Sequence, residues 1–331
     1  MLKKSLASLA ILSLVSSPVF SESSSFLAPL AKKSLLLDIA KSDSQMMAVG
    51  ERGHVLLSDD QGQSWEQVSV PTTSTLTAVT SVGDSIWAVG HDSIIIASKD
   101  AGKTWQTQQF LPELERPLMD VAFFDSNHGI AIGSYGVFFR TTDGGENWTR
   151  EYHTSFLHPD DQDYLEELKQ EDEAFYLEEM ASILPHLNRV NLDGDALLIA
   201  GETGLLAKSS DQGKSWERLE SGYMGSFFDV TQTSKGEVLA AGLRGNIYRS
   251  NISLDDWQRV DSDTTATFNS IVKLSGTDEF LFVGNNGTLL WYSPDGKQLN
   301  QTEDGKSVLN AVMNNGQITA VSAVGIKPLS R

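Results

Sequence analysis

Four copies of one eight-residue pattern, Ser/Thr-x-Asp-x-Gly-x-x-Trp, recur along this chain and commit it to a series of similar hairpins. They are Ser58–Asp60–Gly62–Trp65, Ser98–Asp100–Gly102–Trp105, Thr141–Asp143–Gly145–Trp148 and Ser209–Asp211–Gly213–Trp216. Each residue type has a mechanical role. The hydroxyl and the carboxylate bond turn backbone, and glycine permits a positive φ. Tryptophan then lays a large apolar body over the hairpin. Such a box is a staple, and it carries no reaction by itself.

The repeat is larger than the box. An apolar strand and a Gly-x-x-Gly turn precede each one: Gly50–Gly53, Gly90–Ser93, Gly133–Gly136, Gly201–Gly204, Gly242–Gly245 and Gly284–Gly287, with Ser322–Gly325 a worn seventh. The first positions are 40, 43, 68, 41, 42 and 38 residues apart. A further strand heads each unit, beginning at Leu36, Leu76, Leu118, Leu187, Phe227, Phe268 and Leu309. A period near 40 built from short strands specifies an all-β, seven-bladed propeller of four-stranded blades over residues 22–331. The seventh unit stops after its third strand. Residues 25–32 are expected to supply the fourth and so cover an open sheet edge.

Lys3 and Lys4 precede an apolar run and small residues up to Ser21, so residues 1–21 read as a secretory signal peptide and the mature chain as periplasmic. No other stretch is apolar enough for a membrane span. With no cysteine there is no thiol chemistry, disulfide or thiolate metal site. The net charge of −19 argues against nucleic acid as a partner.

The long interval holds an insertion over about 151–185, with eleven acids and one base, Lys169. Its apolar residues recur at helical spacing, with Asp160 and Asp161 at an N-cap position and Pro185 at the stop. It falls between blades three and four, on the face that carries the Gly-x-x-Gly turns. Arg52, His91, Asp92, Tyr135, Tyr164, Glu202, Arg244 and Asn286 share that face and form the expected partner-binding surface. Near the channel, Asp38, Thr77, Asp120, Asn188, Asp229, Asn269 and Asn310 read as one polar ring. Its carboxylates could hold a cation, but bonding to neighbouring blades is the favoured role.

The box is that of the bacterial neuraminidase (Asp-box) repeat. The full unit, an L-x-D-[IV] strand, a V-G-x-x-G turn and the box, resembles the photosystem II stability/assembly factor family. That resemblance implies an exported, non-enzymatic assembly factor for a membrane protein complex; from the residues themselves, no cofactor or metal is expected. The chain departs from the family in its acidic insertion and in a rim whose clear basic residues are Arg52 and Arg244. The partner is therefore read as a membrane-complex subunit at its periplasmic side, an exporter among the options, met by a monomer. Two other readings are a sialidase-like glycosidase using Tyr135, Glu202, Arg52 and Arg244, and a metal binder using His153, His158 and His186.

Overall fold

The computed structural model describes residues 24–193, 196–274 and 278–331. The leader assigned to residues 1–21 lies outside them. Seven antiparallel sheets follow one another along the chain. Blade one is typical: strands Leu36–Lys41, Met46–Gly50, Val55–Ser58 and Glu66–Val68 pair in sequence order, from the channel outwards. Among the described residues, six sheets have four strands and the seventh has three, Val308–Asn314, Gln317–Ser322 and Gly325–Leu329.

The cores lie between blades. Ile130 and Ile132 of blade three pack with Leu197, Ile199 and Ala207 of blade four, whereas Ala131 faces Trp87 and Val89 of blade two. A second strand is thus buried on both faces. This is why Gly129–Gly133 and Met46–Gly50 read as unbroken apolar runs instead of alternating ones.

Every inner strand opens with a register shift: between Leu36 and Asp38, Leu76 and Ala78, Leu118 and Asp120, Leu187 and Arg189, Phe227 and Asp229, Phe268 and Ser270, and Val308 and Asn310. The first glycine of the turn is what this bulge demands. Gly50 has ordinary extended backbone, but a Cβ there would sit 2.2 Å from the Leu35 carbonyl oxygen. Gly53 is needed for two reasons, a φ of +68° and a Thr72 carbonyl 2.2 Å from any Cβ. In blade seven the register makes Val308 the head residue, one earlier than the spacing predicts.

Residues 25–32 do not complete the seventh blade. Ser25 N–H donates to the Val70 carbonyl at 2.8 Å and Ala28 N–H to Gln67 Oε1 at 2.7 Å, so this segment runs along the outside of blade one. Ala31–Lys33 then form a 3-10 turn, with Ala31 buried against Val321 and Ile326. The reason is spatial. A Cβ on Gly325 would lie 2.0 Å from the Lys32 carbonyl, the place Thr72 takes at Gly53. The segment is thus spent as the blade-to-blade linker, and blade seven meets blade one through packing and side-chain bonds, Lys41 Nζ donating to the Met313 carbonyl at 2.7 Å and Asn315 Nδ2 to Gln61 Oε1 at 2.8 Å.

The insertion is two helices, α1 (Pro159–Glu171) and α2 (Glu173–Ile183). His158, rather than Asp160 or Asp161, caps α1, accepting from Asp160 N–H at 3.4 Å. The two aspartates occupy the first turn, where the helix dipole favours them. Asp172 caps α2 through the N–H groups of Ala174 and Phe175.

Candidate functional site

The boxes form the stapled face. In each, the hydroxyl donates to the aspartate and accepts from the glycine N–H: Ser98 Oγ to Asp100 Oδ1 at 2.8 Å, Gly102 N to Ser98 Oγ at 2.8 Å. The seventh position completes the staple. Ser64, Thr104, Asn147 and Ser215 each bond the aspartate through both backbone and side chain. A polar donor stands there in all four copies, a regularity the motif as first written omits. These bonds hold Asp60, Asp100 and Asp143 down at about 2 and Asp211 lower still, the side-chain donor at the seventh position being the largest cause in each. Both carboxylate oxygens are thereby tied into the turn.

The opposite face carries the strand-two-to-strand-three turns. Arg52, Asp92, Tyr135, Thr203, Arg244 and Asn286 occupy one equivalent position with φ between 50° and 60°. A non-glycine residue there is uncommon and throws its side chain outwards. Five of the six are exposed, Asp92 being held by Ser74 Oγ at 2.6 Å. In blade four Thr203, not Glu202, stands at the tip. Glu202 instead faces His186, with 3.6 Å between carboxylate and ring nitrogen. His91 is exposed beside Asp92.

The insertion is fastened to this face. Gly136 N–H donates to the Pro185 carbonyl at 2.9 Å, and Leu184 fills the space over Gly136, where a Cβ would lie 2.4 Å from its own Cβ. His186 meets the Tyr135 ring edge-on at 4.5 Å. Leu157, Leu165, Met180 and Leu184 make a small core under the helices, while Tyr164, Phe175 and Leu177 remain exposed among the acids.

Beside the helices lies a cluster that the sequence reading missed. Arg116, on the linker into blade three, stacks over Tyr135 at 5.0 Å, and Arg150, on the outer strand, stacks over Tyr152 at 4.7 Å. Tyr135 and Tyr152 are 46% and 44% exposed, unusual for aromatics that serve only packing. Burial, then the charge of Arg150, keep Arg116 below the ordinary arginine value. Neither guanidinium has a carboxylate partner among the described residues. No motif in the sequence marks either arginine, since their meeting depends on the fold.

The polar ring clips each blade to the next, by two alternating devices. In blades one, three and five the third residue is an aspartate: Asp38 accepts from Val79 N–H at 2.9 Å, Asp120 from Val190 at 2.8 Å and Asp229 from Ile271 at 2.7 Å. In blades two, four and six the bulged second residue donates instead: Thr77 to the Leu118 carbonyl, Asn188 to Phe227 and Asn269 to Val308. Asn310 closes the circle on Asp38. One ring is therefore two interleaved positions, made possible by the bulge.

At its centre sits Arg189, the third residue of blade four, unflagged by the motif. Its guanidinium lies 3.8 Å from Asp38, 3.7 Å from Asp120 and 3.6 Å from Asp229, in a cavity of about 300 Å³. A resident guanidinium takes the place that a cation would need. One positive charge cannot neutralise three carboxylates. Burial pushes Asp120 up to about 7, against the pull of Arg189 and with a further push from Asp38. Arg189 stays charged because the three carboxylates outweigh its own burial.

The remaining constellations do not assemble. His153 is wedged between Phe138 and Phe156, His158 caps a helix and His186 packs on Tyr135, and no metal-sized group of His, Asp and Glu occurs among the described residues. Arg52 and Arg244 stand on the turns of blades one and five, two blades to either side of Tyr135.

A family model described as photosynthesis system II assembly factor YCF48 matches residues 22–117 and 106–276. Photosystem II assembly lipoprotein Ycf48 of Synechococcus sp. (strain CC9902) is 25% identical over 183 residues, 52% of this chain and 48% of that protein. The chloroplastic photosystem II stability/assembly factor HCF136 of Arabidopsis thaliana is 27% identical over 199 residues, 57% of this chain and 48% of its own length. The chain thus spans about half the length of these curated relatives. Among solved structures, YCF48 bound to D1 peptide superposes with a TM-score of 0.67 at 16% identity, covering 92% of this chain and 94% of that one. YCF48 from Cyanidioschyzon merolae gives 0.66 at 17% identity over 90% and 96%. At such identities the superpositions speak for the fold alone.

Proposed function

The chain belongs to the photosynthesis system II assembly factor YCF48 family, and from that premise we propose that it is an exported, non-enzymatic docking scaffold which helps assemble or stabilise a membrane protein complex. The observation that carries the reading is the asymmetry of its two faces. One is consumed by staples. The other gathers two arginines with no carboxylate partner among the described residues, exposed tyrosines and an acidic helical pair on a rigid body. Rigid aromatic and arginine anchors are what a protein interface uses to hold a partner. That one relative has been seen with a D1 peptide supports a peptide segment of a membrane subunit as the class of partner. The partner here is a subunit offered at the periplasmic side, a transporter subunit being one option, and a single propeller engages it.

Photocrosslinking tests this. A photoreactive residue at Tyr164 or Arg244 should capture one integral membrane protein that the same group at Asp100, on the stapled face, does not. The double variant Arg116→Glu/Arg150→Glu should lower that capture at least tenfold without lowering the melting temperature. Equal capture from both faces, or capture of soluble proteins only, would refute the proposal.

A further inference from the structure

The seventh blade leaves a second opening, away from the rim. Among the described residues nothing pairs with the outer edge of Gly325–Leu329, the place where six other blades carry a fourth strand. A groove of about 1030 Å³ runs there, from Trp291 of blade six to Trp65 of the first box. A peptide of several residues in extended form fits such a volume.

The edge has a defined bonding capacity. Pro328 pairs with Thr319 and has no N–H to give it, so its backbone faces outwards. Alternation then turns Ile326 outwards as well, offering one N–H and two carbonyls to an incoming strand. Pro328 also shortens the usable edge, which protects it from indiscriminate pairing. Trp291, only 5% exposed, lines the groove with its indole N–H unpartnered.

Charge selects the occupant. In a chain of net charge −19, this groove collects Lys32, Lys33, Lys327 and Arg331. Asp304 holds Lys327 at 2.9 Å and Glu279 lies 3.8 Å from Arg331, whereas Lys32 and Lys33 stand exposed. We propose that the seam between the seventh and first blades is a docking groove for an extended acidic peptide, which adds to Gly325–Leu329 as the strand that blade lacks.

Selection of random octapeptides displayed on phage against the purified chain tests this. The expected winners are acidic, β-branched sequences. Lys32→Glu/Lys33→Glu should weaken them at least tenfold at an unchanged melting temperature, because both side chains are exposed. Hydrogen exchange gives a readout that needs no variant: the Ile326 amide exchanges fast in the free chain and slows at least tenfold with peptide bound. Failure to enrich acidic sequences, equal binding by the Lys32→Glu/Lys33→Glu variant, or an Ile326 amide already protected without peptide would overturn the assignment. So would concentration-dependent self-association that protects the same amide, since the occupant would then be a second copy.

Discussion

At the residue scale, the same side chain does opposite things on the two faces. A box aspartate such as Asp100 is exposed yet satisfied by three or four donors, so it ionises easily; Asp120 of the ring is buried with too little positive charge, so it resists ionisation. The pH consequences have opposite sign. Asp100 titrates near 2 when folded and near 4 when unfolded, so its contribution is complete above about pH 4 and lost as pH falls towards 2. Accordingly, the stability gap between the natural chain and Asp100→Asn, read from guanidinium melts, should be widest at pH 6 and shrink steadily between pH 4 and pH 2.5. A gap that does not change with pH would mean that the carboxylate's charge is irrelevant to the staple. Arg189 was invisible as a functional residue because its partners come from blades one, three and five, and only ring closure brings them together.

At the scale of elements, strands and boxes were legible because each is specified by contacts within about ten residues. The fifth hairpin shows how much the motif can decay: Asn251 takes over the capping bonds, Leu254 adopts the positive φ at 63°, and Trp257 Nε1 still bonds the turn at 3.2 Å. The insertion was legible as helices, with the cap misplaced by two residues because a histidine ring did what an aspartate usually does. It stands on its own small core and touches the propeller chiefly through Phe156, Leu184 and Pro185. Replacing residues 158–183 with a short Gly/Ser linker should therefore leave one cooperative unfolding transition with a melting temperature within about 5 °C of the intact chain. Loss of cooperativity in calorimetry would instead make the helices part of the propeller's core.

Across the whole molecule, the box aspartates and Asp120 set a pH window. Staples weaken as pH falls from about 4 to 2, while Asp120, near 7 in the folded chain and near 4 when unfolded, contributes fully below about 4 and loses that contribution as pH rises through 7. Thermal melts should show greatest stability between about pH 4 and pH 6, and Asp120→Asn should flatten the fall on the alkaline side. A curve that keeps rising to pH 8 would contradict this picture of the channel. The number of blades, the face of the insertion and the staples all followed from local spacing, because turn geometry and strand period are short-range properties written into consecutive residues. Three things depended on tertiary structure: the guanidinium shared by three blades, the arginine–tyrosine cluster, and the use of residues 25–32 as a linker that leaves the last sheet open. Each arises from segments far apart in the chain meeting as the ring closes, and no spacing along a sequence records which of them arrive at the same point.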